Sequence, residues 1–251
     1  MSIIKDLAEL IRSTPENIFF TGAGISTKSG IPDYRSPSSG LWTRPEAVKA
    51  VDISGFMESP KTFYEVFSGE LYEPFAAAKP NIAHKYIAQI ESAGKSMGVI
   101  TQNIDGLHKK AGSRNIYELH GTMSTSSCLS CNTEMKTSIV FDKFMFDKKQ
   151  PQCPCGGIIK PDITFFGEAL PETALNGAFL ASEECSLMIV VGSSLSVMPA
   201  AMLPKHAKDN GSKLVIINKT ETPLDYMADI VINIDIAEVF SELKELWKNP
   251  A

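Results

Sequence analysis

At 251 residues, with 43% hydrophobic side chains and 29 acidic against 24 basic ones, the chain can hold one large core and a small satellite module. Its formal charge of −5 argues against nucleic-acid binding, which draws affinity from a clustered basic surface, and suits a cationic, lysine-bearing protein partner. No apolar run reaches the roughly 18 residues of a membrane span, and the start MSIIKDLAEL reads as an amphipathic helix and not as a secretion signal, so a cytoplasmic protein is expected.

In chain order, the first apolar run, Ile18–Phe20, predicts a buried strand that breaks into Gly22, Ala23 and Gly24. Glycines after a strand let backbone N–H groups approach a diphosphate. As a dinucleotide fingerprint the stretch is incomplete, because Thr27 stands where a last glycine or alanine is expected; an ordinary strand-to-helix turn fits it equally. No acidic residue follows at a convincing strand end, Asp52 being the nearest, so hydride-transferring dehydrogenase chemistry is disfavoured. Residues 34–75 are rich in aromatics and short helical signals. A helix is predicted over Asn81–Ser92, with Ile82, Ala83, Tyr86, Ile87 and Ile90 on one face.

The strand Met97–Ile100 then delivers TQNIDGLH, Thr101 to His108, with His120 twelve residues further on in ELHG. Amide, carboxylate and imidazole groups after an apolar strand can bind a polar ring and move a proton. Asn and Asp also form turns by bonding their own backbone, so the cluster alone leaves both readings open. Later runs at Leu187–Val191, Lys213–Ile217 and Asp229–Ile234 are too uniformly apolar to face water on one side, and a helix is predicted over Pro199–Lys208 after GSSL. The alternation predicts an α/β fold: a doubly wound, Rossmann-like parallel sheet with a smaller zinc-binding and helical module. Residues 1–33, 76–121 and 165–251 form the former, residues 34–75 and 122–164 the latter.

Four of the five cysteines fall within residues 122–164, as Cys128-x-x-Cys131 and Cys153-x-Cys155 followed by Gly156-Gly157. Two knuckles of paired thiolates can surround one tetrahedral zinc, and in a cytosolic chain that reading outweighs disulfides. No open coordination position is evident, so the zinc is expected to be structural.

GAGIS at 22–26, IPDYRS at 31–36, TQNIDGLH at 101–108, ELHG at 118–121, FFGE at 165–168 and GSSL at 192–195 together resemble the sirtuin family of NAD-dependent protein deacylases. The resemblance runs from about Ile3 to Leu246, as in a minimal bacterial catalytic core. The second cysteine knuckle is one residue shorter than the family's usual Cys-x-x-Cys, and a tighter knuckle can still chelate.

The resemblance implies that NAD is consumed as a co-substrate. The acyl oxygen of an acyl-lysine attacks the nicotinamide ribose, nicotinamide leaves, and water finally releases lysine and O-acyl-ADP-ribose. It implies His120 as general base, Asn103 beside the reacting ribose, Gln102 on the ribose, and Ile104 and Asp105 on the nicotinamide carboxamide. Gly22, Ala23, Gly24 and Ser193 would surround the phosphates, Arg35 would order the cofactor loop, and Asn218 and Ile236 would hold the adenosine end. Ser26, Thr27, Asp33, Tyr34, Gly192, Ser194 and Lys219 complete the implied NAD site. Thr164, Phe166, Gly167 and Glu168 form a short extended run along which an acyl-lysine peptide could add as a strand. Tyr64 matches the tyrosine of a Tyr-x-x-Arg pair found in succinyl- and malonyl-preferring sirtuins, but Phe67 stands in the arginine's place, implying a neutral acyl pocket. A protein ADP-ribosyltransferase on the same fold and a non-catalytic NAD-sensing zinc module stay open beside the deacylase.

Overall fold

The computed structural model describes residues 2–32, 45–70 and 72–248; Asp33, Tyr34 and Arg35 of the expected cofactor loop lie outside them. Helix α1 (Ile3–Ser13) starts where the Ser2 hydroxyl accepts the Ile4 N–H, and it buries Ile4, Leu7, Ala8 and Ile11, one helical stripe. Strand β1 (Asn17–Thr21) follows, buried throughout. The aromatic-rich stretch folds as α2 (Pro45–Ala50), α3 (Ile53–Glu58), α4 (Pro60–Glu70) and α5 (Tyr72–Ala77), and α6 (Ile82–Ser92) is capped by Asn81, which accepts the Ala83 N–H at 2.9 Å. Next come β2 (Gly98–Thr101), α7 (Leu107–Ala111), β3 (Ile116–Glu118), β4 (Gly121–Cys128), β5 (Glu134–Lys136), α8 (Thr137–Asp147) and β6 (Ile159–Ile163). The chain continues as α9 (Glu172–Glu184), β7 (Leu187–Val191), α10 (Met202–Asp209), β8 (Lys213–Ile217), β9 (Ile230–Ile232) and α11 (Ile236–Lys248).

Six of these strands make one parallel sheet in the order β3-β2-β1-β7-β8-β9. The chain winds outward from β1 to one edge and then from β7 to the other, so the topological switch lies between β1 and β7, and their carboxyl ends open the crevice where such sheets bind ligands. Alternate residues serve opposite layers. Phe19, Val99, Ile189, Val215 and Ile217 pack with α1, α6 and α11, whereas Ile18, Phe20, Ile100, Met188, Val190, Leu214 and Ile216 pack with α9 and α10. Burial on both faces is why these strands read as unbroken apolar runs.

The boundaries shift in explicable ways. The last predicted strand shortens because Asp229 leaves it: its carboxylate accepts the Leu214 N–H at 2.7 Å and pairs with Lys208 at 2.7 Å. The helix predicted from Pro199 begins at Met202, after a turn in which the Met202 N–H reaches Pro199 O at 2.9 Å. Edge strand β3 has three half-buried residues, too few to form a recognisable run.

The smaller module holds an antiparallel sheet, β5-β4-β6, and an aromatic core in which Phe56, Phe63, Tyr64, Phe67, Tyr72, Phe141, Phe144 and Phe165 touch. Burying each such ring contributes roughly 2 kcal/mol, and edge-to-face contacts such as Phe56 on Phe165 add to it.

Candidate functional site

The carboxyl ends of β1, β2 and β7 carry Gly22, Gln102 and Gly192 respectively. The glycines bring two strand ends together. The Gly22 N–H donates to Val191 O at 3.1 Å and the Gly24 N–H to Gly192 O at 2.9 Å, so these two donors are spent inside the protein and not offered to a diphosphate. Gly192 has φ +66°, and a Cβ there would lie 2.4 Å from Ile25 N, which excludes any larger residue. Ala23, Ser26 and Thr27 follow in the 3₁₀ turn Ala23–Ser29, with the Thr27 hydroxyl donating to Gly24 O at 3.0 Å.

Beneath this crevice lies a connected polar floor. Ser26 has one hydroxyl proton, which goes to Asp105 Oδ2 at 2.7 Å; it therefore accepts from Asn103 Nδ2 at 3.1 Å and from His84 Nε2 at 3.5 Å. Asn103 Nδ2 also donates to Gly22 O at 3.1 Å, so both amide hydrogens are used and Oδ1 is left to meet a ligand. Asp105 Oδ1 accepts the Leu107 N–H at 2.8 Å, and burial pushes its carboxyl above the usual range against those hydrogen bonds. On the other side, His108 Nε2 lies 2.9 Å from Thr21 Oγ1, which donates to Thr101 Oγ1 at 2.8 Å, which accepts the Asn103 N–H at 3.0 Å. The rings of His84 and His108 are 4.9 Å apart. Burial lowers His84 to about 4 and drives His108 well below its ordinary value, so both are neutral donors at neutral pH.

His120 stands at the mouth of the site. Its Nδ1 lies 2.8 Å from Gln102 O, an atom that can only accept, so Nδ1 carries the proton and Nε2 the lone pair of a base. Gln102 takes the Ser193 hydroxyl on Oε1 at 2.7 Å, while its buried Nε2 has no partner among the described residues. An orphaned buried donor beside a histidine base is what a polar ligand such as a ribose would satisfy. Ser194 Oγ is 2.9 Å from Ser196 Oγ on the same loop.

Sequence reasoning missed His84, His108, Thr21 and Thr101 as one network with Ser26. The available signal was a histidine three residues before Ile87 on the buried stripe of α6.

The remaining expected residues are spread more widely. Asn218 follows β8 and spends Nδ2 on Thr220 O at 2.8 Å, with exposed Lys219 beside it; Ile236 opens α11, beyond the last strand, and packs partly buried on the core. Ile104 backs onto the small module, its carbonyl accepting the Met123 N–H at 2.9 Å. The Thr164 N–H donates to His120 O at 2.9 Å, tying the expected peptide run to the histidine. Phe166 is 54% exposed, with both backbone groups bonded to Val51 and Ile53. Tyr64 and Phe67 sit inside the aromatic core: Tyr64 is wholly buried and donates its hydroxyl to Ile159 O at 2.8 Å, and Phe67 stacks on Phe63.

The Sγ atoms of Cys128, Cys131, Cys153 and Cys155 all lie within 4.8 Å of one another. Zn–S bonds of about 2.3 Å in a tetrahedron put sulfurs about 3.8 Å apart. The separations of 3.5 Å for Cys128–Cys155, 3.7 Å for Cys131–Cys153 and 3.4 Å for Cys131–Cys155 fit that cage. The short knuckle closes because Gly156, at φ +88°, returns its N–H to Cys153 O at 2.8 Å, and because Gly157 leaves room where a Cβ would lie 2.6 Å from Cys128 Sγ. The Gly157 N–H lowers the Cys155 thiol, but hydrogen bonding to Cys131, Cys128 and Cys153 outweighs it and pushes it up to about 12, while the Thr133 and Cys155 hydrogen bonds bring Cys131 down to about 6, so the cluster shares its protons unevenly and a zinc ion would take their place.

The Sir2 family profile matches residues 22–199. The chain is 42% identical over 247 residues to NAD-dependent protein deacetylase 2 of Caldanaerobacter subterraneus subsp. tengcongensis, covering 98% of this chain and 95% of that one. A solved structure of Sir2 with a p53 peptide and NAD+ superposes with a TM-score of 0.89 at 40% identity over 99% of both chains. One of Sir2Tm bound to a propionylated peptide does so with a TM-score of 0.88 at 39% identity over 98% of both. With the switch-point site, the polar floor and the cysteine cage on one fold, and relatives aligned over nearly the full length, the chain belongs to the Sir2 family, the sirtuins.

Proposed function

We propose that this chain is an NAD-dependent protein lysine deacetylase that consumes NAD and yields nicotinamide, deacylated lysine and O-acetyl-ADP-ribose. One observation carries it: a histidine in its base tautomer and an asparagine with its carbonyl oxygen left outward stand at the switch point of a doubly wound sheet, beside an orphaned glutamine donor. Asn103 Oδ1 and Gln102 Nε2 hold ribose hydroxyls, and His120 Nε2 takes the proton of one of them once nicotinamide has gone. Asp105 and Ile104 receive the carboxamide end, and Ala23, Ser193 and their neighbours the phosphates. Zinc, held by Cys128, Cys131, Cys153 and Cys155, stiffens the small module and takes no part in the chemistry.

The acyl-lysine peptide runs along residues 164–168. Phe166 commits its backbone to Val51 and Ile53, so an incoming strand meets the opposite edge, that of Gly167. Residues 1–33, 76–121 and 165–251 serve as the NAD-binding body, which lends Phe165 to the aromatic core of the small module, residues 34–75 and 122–164. The negative charge suits lysine-rich protein substrates over nucleic acid, no helix among the described residues is long and apolar enough to cross a membrane, and we assign the protein to the cytoplasm.

An acetyl-lysine peptide incubated with and without NAD, scoring nicotinamide and deacetylated peptide together, tests the reading. Equal, NAD-dependent yields of both support it. Nicotinamide release with the peptide still acetylated and ADP-ribose attached to protein would move the assignment to ADP-ribosyl transfer.

A further inference from the structure

Lys160 lies on β6 with 8% of its side chain exposed, and a buried ammonium persists only where its protons are taken up. Here Nζ donates to Ile163 O at 2.7 Å and to Pro161 O at 3.4 Å, meets Glu168 Oε2 at 2.9 Å, and stands 4.2 Å from the centroid of the Phe165 ring. Glu168 then doubles back on the chain. The same Oε2 accepts the Phe165 N–H at 2.7 Å, and the Glu168 N–H donates to Phe165 O at 3.1 Å. Phe165–Glu168 is therefore a turn closed twice by its own last residue, with Gly167 at φ +87° in third position, where a left-handed residue is required. What the turn displays is Phe166, a half-exposed aromatic side chain whose backbone is fixed to Val51 and Ile53.

We infer that Lys160 and Glu168 are positioning residues for acyl-lysine binding, an assignment that rests on the deacetylase reading and on the peptide path along residues 164–168. The ion pair joins the zinc-bearing sheet to the one turn that carries Phe166 and Gly167, and so holds the peptide edge in its bound form before substrate arrives. Without it, the peptide must order that turn as it binds, which weakens peptide affinity while the NAD site and His120 stay as they are. A pair serving stability alone would lower the melting temperature and leave the kinetic constants of the folded enzyme unmoved.

The test uses zinc-loaded, full-length protein and an acetyl-lysine peptide at saturating NAD, with Tm, zinc content and KM for NAD measured alongside. Lys160→Met and Glu168→Gln are each expected to raise the peptide KM roughly tenfold or more with kcat within about threefold, the signature of lost uniform binding. Lys160→Arg restores the peptide KM to within about threefold of wild type, because a guanidinium can make the same pair. The double variant is no worse than Lys160→Met alone, since the carboxylate is no longer left without its cation. Should Lys160→Met not fold, Glu168→Gln, equal in shape and lacking only the charge, carries the test. A folded Glu168→Gln enzyme with unchanged peptide KM, or one that loses kcat alone, overturns the clamp and leaves the deacetylase reading standing. A wild type that yields no deacetylated peptide overturns the deacetylase reading, and the clamp with it.

Discussion

The polar floor under the strand ends and the aromatic core under the cysteine knuckles are both buried, but they are held in opposite ways. In the floor each proton has one destination: Ser26 gives to Asp105, Asn103 to Gly22 and Ser26, Thr21 to Thr101. Removing one member leaves another buried group unpaired, at a cost of about 1–3 kcal/mol, and frees the Asn103 amide to turn from the orientation the proposed reaction requires. In the small module, Phe63 touches Phe56, Tyr64, Phe67, Phe141 and Phe165, contacts without direction that tolerate swaps of similar volume. Precision there comes from the ends, from zinc on one side and the Lys160–Glu168 pair on the other. The large domain sets chemistry by hydrogen bonds, and the small one sets shape by packing and ligation.

Metal removal should separate the two regions most sharply. Structural zinc in small sites binds with an apparent free energy of about 10 kcal/mol or more at neutral pH, and that energy is folding energy for the module it closes. One zinc per chain is expected by elemental analysis. A strong chelator should open residues 122–164 to protease while the far-ultraviolet signal of the six-stranded sheet persists, and peptide turnover should fall with the module. Freshly purified, active protein containing no metal would show that the short knuckle does not serve as a ligand pair.

Acid should act on the floor through its two buried histidines. His84 has a folded-state pKa of about 4, below its unfolded value near 6.5, so below about pH 6.5 the unfolded chain takes up a proton that the folded chain refuses. The stability is present above that pH and is lost as pH falls toward 4, by about 3 kcal/mol for His84 alone. His108 shifts in the same direction. His84→Gln keeps a donor for Ser26 without the titration, so the loss between about pH 7.5 and 4.5, read from urea unfolding, should shrink by most of that amount. An unchanged pH slope in His84→Gln would place the acid sensitivity elsewhere.

His120 lies between the two regions, its ring on Gln102 and its carbonyl bonded to Thr164. In the proposed reaction its imidazole acts after NAD has bound. His120→Ala should therefore lower deacetylation by about a hundredfold or more, near 2.7 kcal/mol, with NAD affinity little changed. Near-normal turnover by a folded variant would remove His120 from the role of base.

How much of this was legible in the sequence follows the same division. Strands β1, β7 and β8 were readable because burial on both faces forces uniform apolarity, and the site cluster was readable because a polar run follows such a strand directly. Cysteine spacing announced the zinc cage. What stayed hidden depends on partners far apart in the chain: His84 meets Ser26 and His108, and Gly22 and Gly24 give their N–H groups to the end of β7. Periodicity cannot report such pairings, since each residue taken alone obeys an ordinary helix or turn rule. β3 stayed hidden for another reason, being an edge strand of three residues whose pattern is shorter than any periodicity test.

The smallest expected effect concerns acyl choice, and it bears on how the aromatic core meets the substrate. Sirtuins that prefer succinyl or malonyl lysine are expected to place an arginine three residues after the tyrosine matched by Tyr64; here that place holds Phe67, buried and stacked 4.3 Å from Phe63. The Tyr64 hydroxyl is committed to Ile159 O, and burial raises its pKa, so it offers an acid neither charge nor a ready proton. Lys160, the buried cation beside Phe165, is already neutralised by Glu168. A succinyl carboxylate reaching this core would be desolvated without a counter-charge, a penalty of several kcal/mol before relaxation and water entry reduce it. Acetyl-lysine peptide should accordingly be preferred over its succinyl counterpart by at least about tenfold in kcat/KM, equivalent to about 1.4 kcal/mol. Matched peptides at saturating NAD decide it. Equal efficiencies would mean that an acidic acyl chain finds a cation or water that the aromatic core does not supply, and that acyl choice is made outside the Tyr64–Phe67 stretch.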